Sequence, residues 1–276
     1  VRTAEVLSQT AARLAQAGLE NSLFEAETLA SYAAGISRAK LISLMPDQYP
    51  PAAEAKLEEI CRRREAREPF AYITGTKEFY GLDFFVTPDV LIPRPETESL
   101  VDAAVSLLPE GGSFLDLCCG SGIVGIALKT NRNDARVSAS DISSAAIAVA
   151  RINAHTLLND ESITFIQSDL FESIDAAFDM IAANPPYVAG EELPALAPEL
   201  GFEPGLALFS DDGGFSHTER IISHARAHLV KDGILLVETN PSLKDRVGRC
   251  AEHFGFSLTI EKDLAGFSRF YFLRAV

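Results

Sequence analysis

"LDLCCGSGIVGIA", residues 115–127, decides the fold. A short apolar run carrying Asp116 reaches Cys118 and Cys119, turns through Gly120 and Gly122, and resumes as an apolar segment of helical character. This is a strand, a glycine turn and a helix start. Backbone N–H groups at such a helix start face a ligand, and the two glycines let it approach closely. Asp141 ends the next strand about twenty residues on, where a ribose-binding carboxylate belongs. An ordinary α/β turn begins the same way, and dinucleotide sites share the pattern.

The alternation continues on both sides of this stretch. "SFLDLCC" reads as a strand, "GIVGIALKT" as a helix, "RVSASD" as a strand and "SSAAIAVARINAHT" as a helix capped by Ser143. "ITFIQSD" and "FDMIAAN" are strands, a helix covers about 214–229, "GILLVET" is a strand and "SLKDRVGRCAEHF" a helix. Strand–helix alternation of this kind predicts an α/β fold with a mostly parallel, doubly wound sheet. "FSLTIEKD" and "FSRFYFLRA" leave no room for a helix between them, so they predict an antiparallel terminal hairpin.

Residues 1–72 are expected to be a separate helical bundle. Gly18 closes the first helix, and the second opens on a capping box of Ser22 with Glu25 and ends at Gly35. A short helix follows Ser37, and "AAEAKLEEICRRREARE" runs from Pro51 towards Pro69. "KEFYGLDFFV", residues 77–86, is a hairpin about Gly81. It places a linker at 73–90, with the larger domain at 91–276 and its first helix near Glu96 or Thr97.

Composition narrows the class. The chain has 276 residues, 47% of them hydrophobic, yet no apolar run approaches the ~18 residues of a membrane span. The first twenty residues read as an amphipathic helix without a cleavage signal, so the expected location is cytoplasmic. Cys61, Cys118, Cys119 and Cys250 match no zinc spacing, and no metal is expected. Residues 1–80 hold 10 Lys/Arg against 11 Asp/Glu, while the rest hold 14 against 28. So acidic a body repels phosphate backbones and suits a basic protein partner or simple solubility. "CRRREAR" is read as a solvated helix face rather than an RNA contact, and His224 and His228 as surface residues rather than ligands.

The loop lacks the GKS or GKT of a phosphate cradle. Asp116 beside it favours a cationic ligand over a pyrophosphate. S-adenosylmethionine, with a sulfonium, an ammonium and no phosphate, fits that description. Asp169, in "QSDLF", is placed to accept from an adenine amino group. "AANPPYVAG", residues 182–190, then ends the fourth strand, at the edge where open α/β sheets bind ligands. The carbonyls of Asn184 and Pro185 can each accept one hydrogen of a planar –NH₂ group, while the Pro185 ring fixes φ and Tyr187 covers the face of that group. An amide or an exocyclic amine has this geometry. An ordinary Asn-Pro loop is the alternative.

"NPPY" after "LDLCCGSG" resembles class I S-adenosylmethionine-dependent methyltransferases acting on planar nitrogens. "EPFAYITGTKEFYGLDFFVTPDVLIPRPETESLV", "FEPGLALFSDDGG" and "DLAGFSRF" are similar to segments of the HemK/PrmC family, protein-(glutamine-N5) methyltransferases of peptide chain release factors. The resemblance spans essentially the whole chain. It implies a Rossmann-like, mostly parallel seven-stranded sheet with an antiparallel terminal hairpin, behind a small helical domain that helps hold the release factor. It implies methylation of the glutamine amide in the GGQ tripeptide, held by Asn184, Pro185, Pro186 and Tyr187. Cofactor contacts fall on Asp116, Cys118, Cys119, Gly120, Ser121, Gly122, Asp141, Asp169, Leu170 and Asn184. Arg94 and Glu96, in "IPRPETE", either order the entrance or link the domains. Two departures stand out: the family loop often begins with Gly where this chain has Cys118, and Glu-x-Gly-x-x-Gln is replaced by "ETNPSLKD" near residue 238.

In-line transfer to nitrogen is expected to need positioning and electrostatics rather than a general base. The competing expectations are a nucleic-acid amino methyltransferase, which the acidic catalytic half disfavours, and a non-catalytic relic of the fold. A monomer with no membrane and no direct nucleic-acid partner is expected.

Overall fold

In the computed structural model, which describes residues 1–158 and 162–275, the N-terminal helices form a unit of their own, Val1–Gly75. It contains α1 (Thr3–Gln16), α2 (Ser22–Ala34), α3 (Arg38–Ser43), α4 (Pro51–Glu65) and α5 (Phe70–Thr74). Leu7 and Leu14 of α1, Ala26, Leu29 and Ala30 of α2, and Leu57 and Ile60 of α4 bury the helical stripes. Gly35 ends α2 in the left-handed region, as its residue type allows.

The capping box expected at α2 is not formed. Asn21 occupies the cap position without a side-chain bond. Glu25 instead takes a two-pronged bond from Arg64, at 2.6 and 2.8 Å. A guanidinium fork on a carboxylate is stronger than one bond to a backbone N–H, so the distant partner wins. Other arginines of "CRRREAR" are likewise engaged inside this unit: Arg63 with Glu68, and Arg67 with the Gly18 carbonyl.

The second unit, 76–276, begins with the hairpin β1 (Thr76–Phe79) and β2 (Leu82–Phe85). Tyr80 and Gly81 both have positive φ, as a primed two-residue turn requires. The hairpin expected as a linker is packed into this unit's core, where Phe79 and Phe84 are fully buried and meet edge to face. A 3-10 turn, Pro95–Thr97, leads into α6 (Glu98–Leu107).

Then come β3 (Ser113–Leu117), α7 (Ile123–Asn131), β4 (Arg136–Asp141), α8 (Ser144–Leu158), β5 (Ile163–Gln167) and β6 (Phe178–Ala183). The short turns α9 (Gly205–Leu208) and α10 (Asp211–Gly214) precede α11 (Ser216–Ala225), β7 (Leu229–Glu238), α12 (Lys244–His253), β8 (Phe256–Lys262) and β9 (Ser268–Ala275). The helix read over 214–229 is shorter than expected, because β7 starts already at Leu229.

The seven strands lie in the order β5-β4-β3-β6-β7-β9-β8. All pairings are parallel except those of β9 with β7 and β8. Side chains alternate between two covered faces. Phe114, Met180 and Ala182 enter one core with α6, α7 and α8, and Leu115, Leu117, Ile181 and Val237 enter the other with α11 and α12. The chain leaves β3 towards β4 on one side, while β6 and β7 lie on the other. The carboxyl ends of β3 and β6 therefore flank the switch point of the sheet, where such folds open a crevice.

Candidate active site

The loop after β3 is shaped by backbone conformations rather than by side chains. Cys118, Gly120 and Gly122 all have positive φ, 62, 53 and 81°. Of the three, Cys118 alone carries a side chain there, and a side chain in the left-handed region costs about 1 kcal/mol. Gly125, one turn into α7, completes a G-x-G-x-x-G spacing that sequence reading left unused. A Cβ there would meet Asp116 Oδ2 and Val137 at 3.2 Å, so the residue is needed for close helix–strand packing.

Two carboxylates lock this loop. Asp141 accepts from the N–H of Gly120 and of Ser143, both at 2.9 Å. Asp116 accepts from the N–H of Gly125 at 2.8 Å. Burial pushes the Asp116 carboxyl up to about 7, and it also raises Asp141. Asn153 of α8 holds the loop from behind. Its Nδ2 donates to the carbonyls of Ser121 and Phe85, and its Oδ1 accepts from the Phe85 N–H at 2.7 Å.

A cleft of about 1070 Å³, counted with its open mouth, runs over the carboxyl ends of β3 and β6. Its walls include Asp116, Cys118, Cys119, Gly120, Ser121 and Asp141. They also include Asp169, Leu170, Asn184, Pro186 and Arg94. Gly122, Pro185, Tyr187 and Glu96 do not line it. Gly122 caps α7 and packs on Ala150. Glu96 is exposed, and Tyr187 packs against the second core, where burial pushes its hydroxyl up to about 12.

The cations near the cleft are paired off. Arg220 lies 3.1 Å from Asp169. Arg94 meets Glu203 at 2.5 Å, and the other oxygen of Glu203 accepts from the Ile92 N–H. Glu203, buried in the "FEPG" segment, thus ties the irregular segment before α6 to the loop after β6. Sequence reading placed Arg94 but missed this partner. With Arg94 and Arg220 held by carboxylates, and Asp116 and Asp141 in its wall, the cleft suits a cationic, phosphate-free ligand.

Asn184 follows the last residue of β6. Its Nδ2 donates one hydrogen to the hydroxyl of Thr97 at 3.2 Å, and its Oδ1 can accept. The loop beyond it is braced from outside: Val188 donates to the Leu208 carbonyl and accepts from the Ser210 N–H. "ETNPSLKD" forms a 3-10 turn, Pro241–Leu243, capped by Asn240 accepting from the Ser242 N–H. Among the described residues, no group of three His, Cys, Asp or Glu gathers as a cation site requires, and no helix is long and apolar enough to cross a membrane. His228 stacks on Phe171 and His224 caps its own helix turn.

Known proteins share this plan. Residues 5–75 match the PrmC N-terminal domain and residues 97–200 the methyltransferase small domain. A release factor glutamine methyltransferase from Cereibacter sphaeroides is 37% identical over 98% of this chain and 97% of its own. One from Burkholderia pseudomallei is 36% identical over 94% of both chains. A methyltransferase of known structure from Pyrococcus furiosus superposes with a TM-score of 0.55 at 16% identity, covering 81% of this chain and 100% of that one; this likeness is one of fold, the class I methyltransferase architecture. With both matched domains and near-complete coverage at that identity, the chain belongs to the family of S-adenosylmethionine-dependent release factor glutamine methyltransferases.

Proposed function

We propose that this enzyme methylates the side-chain amide nitrogen of the glutamine in the GGQ tripeptide of peptide chain release factors. The observation that carries the reading is Asn184: its amide N–H is committed to Thr97, so its Oδ1 presents an acceptor to an incoming –NH₂ at the sheet's switch point. The Pro185 carbonyl, on the next residue of a backbone with fixed φ, is the second acceptor. Together they hold a planar amide flat and turn its weakly nucleophilic nitrogen towards the cleft.

The residues present fit S-adenosylmethionine. The Gly120–Gly122 loop would take its amino-acid end, Asp116 would face its positive charge, Asp141 its ribose hydroxyls, and Asp169 with Leu170 its adenine. When bound, it supplies a methyl group activated by a sulfonium that leaves as a neutral sulfide. The chain's own contribution is placement, which in favourable cases supplies ~7–11 kcal/mol of barrier reduction. As positive charge grows on the nitrogen, its N–H groups share it with the two carbonyls. The surplus proton then passes to water. The acidic catalytic half supports a basic protein loop as partner rather than nucleic acid. We place the enzyme in the cytoplasm, as a monomer, with the helical unit 1–72 helping to hold the release factor.

The test is transfer of labelled methyl from S-adenosylmethionine to a release factor, wild type or with its GGQ glutamine replaced. Label on the wild type alone is expected. Transfer to DNA or RNA instead would sink the reading. Asn184→Ala is expected to lose at least 100-fold in kcat while cofactor affinity stays within about threefold, on the scale of losing one positioned acceptor.

A further inference from the structure

Glu238 is a buried carboxyl that the reaction above does not use. It ends β7 at 1% exposure, and its Oε2 has no hydrogen-bond partner. Burying such a group without full satisfaction is costly, and an apolar residue would pack there at less cost. Its position gives it a task. The parallel ladder of β6 and β7 matches Ala183 with Val237. Asn184 and Glu238 therefore follow as neighbours at the same end of adjacent strands. Thr97, itself 1% exposed, takes the N–H of Asn184 on its hydroxyl. The Thr97 side chain also lies close enough to the Glu238 carboxyl to favour its charged form.

We infer that Glu238 and Thr97 are positioning residues that fix which way the Asn184 amide points. The inference rests on the proposed transfer to an amide. An asparagine side chain has two faces of nearly equal shape, one a donor and one an acceptor. With its –NH₂ turned to the cleft, Asn184 would oppose donor to donor and repel the substrate amide. A hydroxyl alone does not prevent this, because it can donate or accept. An ionised carboxylate can only accept, and Glu238, whose carboxyl burial pushes up to about 7, takes that form above neutral pH. Glu238 draws the Thr97 proton to itself, so the lone pairs of Thr97 face Asn184 and admit only its N–H. The Asn184 Oδ1 is thereby turned to the cleft before any substrate arrives.

The experiment measures release-factor methylation and S-adenosylmethionine affinity for four variants of the full chain. Thr97→Val keeps the shape and removes the hydroxyl; it is expected to lower kcat 10- to 100-fold with cofactor Kd within twofold. Thr97→Ser restores the hydroxyl and is expected to recover kcat to within threefold of wild type. Glu238→Gln, which can donate as well as accept, should fall between them, and Thr97→Val with Glu238→Gln should be no worse than Thr97→Val alone. Unchanged kcat in Thr97→Val overturns the inference. So does equal loss in Thr97→Ser, or a loss of cofactor binding that parallels the loss of rate, since either marks a merely structural role. If wild type labels no release factor but labels another amine, the functional reading has failed instead.

Discussion

A Cβ on Gly214 would lie 2.3 Å from the carbonyl oxygen of Tyr187. Gly214 also has φ +88°, so both space and backbone exclude a side chain. The residue is not part of the cleft walls, yet the Asn-Pro-Pro-Tyr loop rests directly on it. Gly214→Ala is expected to displace that loop and lower turnover more than 100-fold, since misplacement by about 1 Å costs this much. The neighbouring Gly213 is a control. Its φ is +63° but the nearest atom to a Cβ is 3.8 Å away, so Gly213→Ala should cost only the left-handed penalty of about 1 kcal/mol. Steady-state kinetics and melting curves of both variants check this; equal effects would refute it.

Cys118 carries a side chain at φ 62°. Cys118→Gly should relieve about 1 kcal/mol of backbone strain, net of the entropy glycine adds to the unfolded chain. The expected result is a melting temperature higher by about 2–4 °C, read by calorimetry. Cys118→Ala keeps the strained Cβ and should give no gain. A fall in melting temperature for the glycine variant would show that thiol packing outweighs the strain.

How much of this was legible in sequence depends on where the partner of each residue lies. The glycine loop, Asp141 and the Asn-Pro-Pro-Tyr turn were legible because their chemistry is set within a few residues or one strand–helix repeat. Glu203 and Thr97 were not, because their partners Arg94 and Asn184 stand 109 and 87 residues away. A glutamate in "FEPG" reads as a polar loop until Arg94 is seen against it. Glu238 gave a fainter signal: it ends "GILLVE", a run that a doubly covered sheet buries on both faces. Glu25 misled in the other direction. Its local spacing from Ser22 matches a cap, but a buried guanidinium forty residues on offered a better bond. Tyr187 adjoins the site in sequence, yet the pleat of the turn sends its ring into the core.

Glu238 also controls how stability varies with pH. Burial pushes its carboxyl up to about 7, well above the unfolded value near 4. The folded state therefore holds a proton that the unfolded state releases. The resulting stability is complete below about pH 4 and is lost as pH rises through 7. Asp116, raised likewise, adds the same sign. Wild type is thus expected to melt higher at pH 6 than at pH 8. Glu238→Gln should flatten this slope by on the order of 1 kcal/mol between the two pH values and be the more stable protein at pH 8. Denaturant titrations at the two pH values decide it, and parallel slopes for both proteins would count against the assignment.

Asp116 should make cofactor binding pH-dependent in the opposite sense. Burial pushes its carboxyl up to about 7, and the expected ligand is a cation. A positive charge nearby favours the ionised carboxylate, so binding expels a proton wherever Asp116 starts protonated. Affinity for S-adenosylmethionine is therefore expected to fall as pH drops below 7, approaching tenfold per pH unit if one full proton is released. Calorimetric titration at pH 6 in two buffers of different ionisation enthalpy counts that proton directly. Asp116→Asn keeps an acceptor for the Gly125 N–H but cannot titrate. It should bind more weakly at pH 8, with no dependence on pH between 6 and 8. If that variant still releases a proton, the titrating group is the neighbouring Asp141, which burial also raises, and the role of facing the cofactor's charge passes to it.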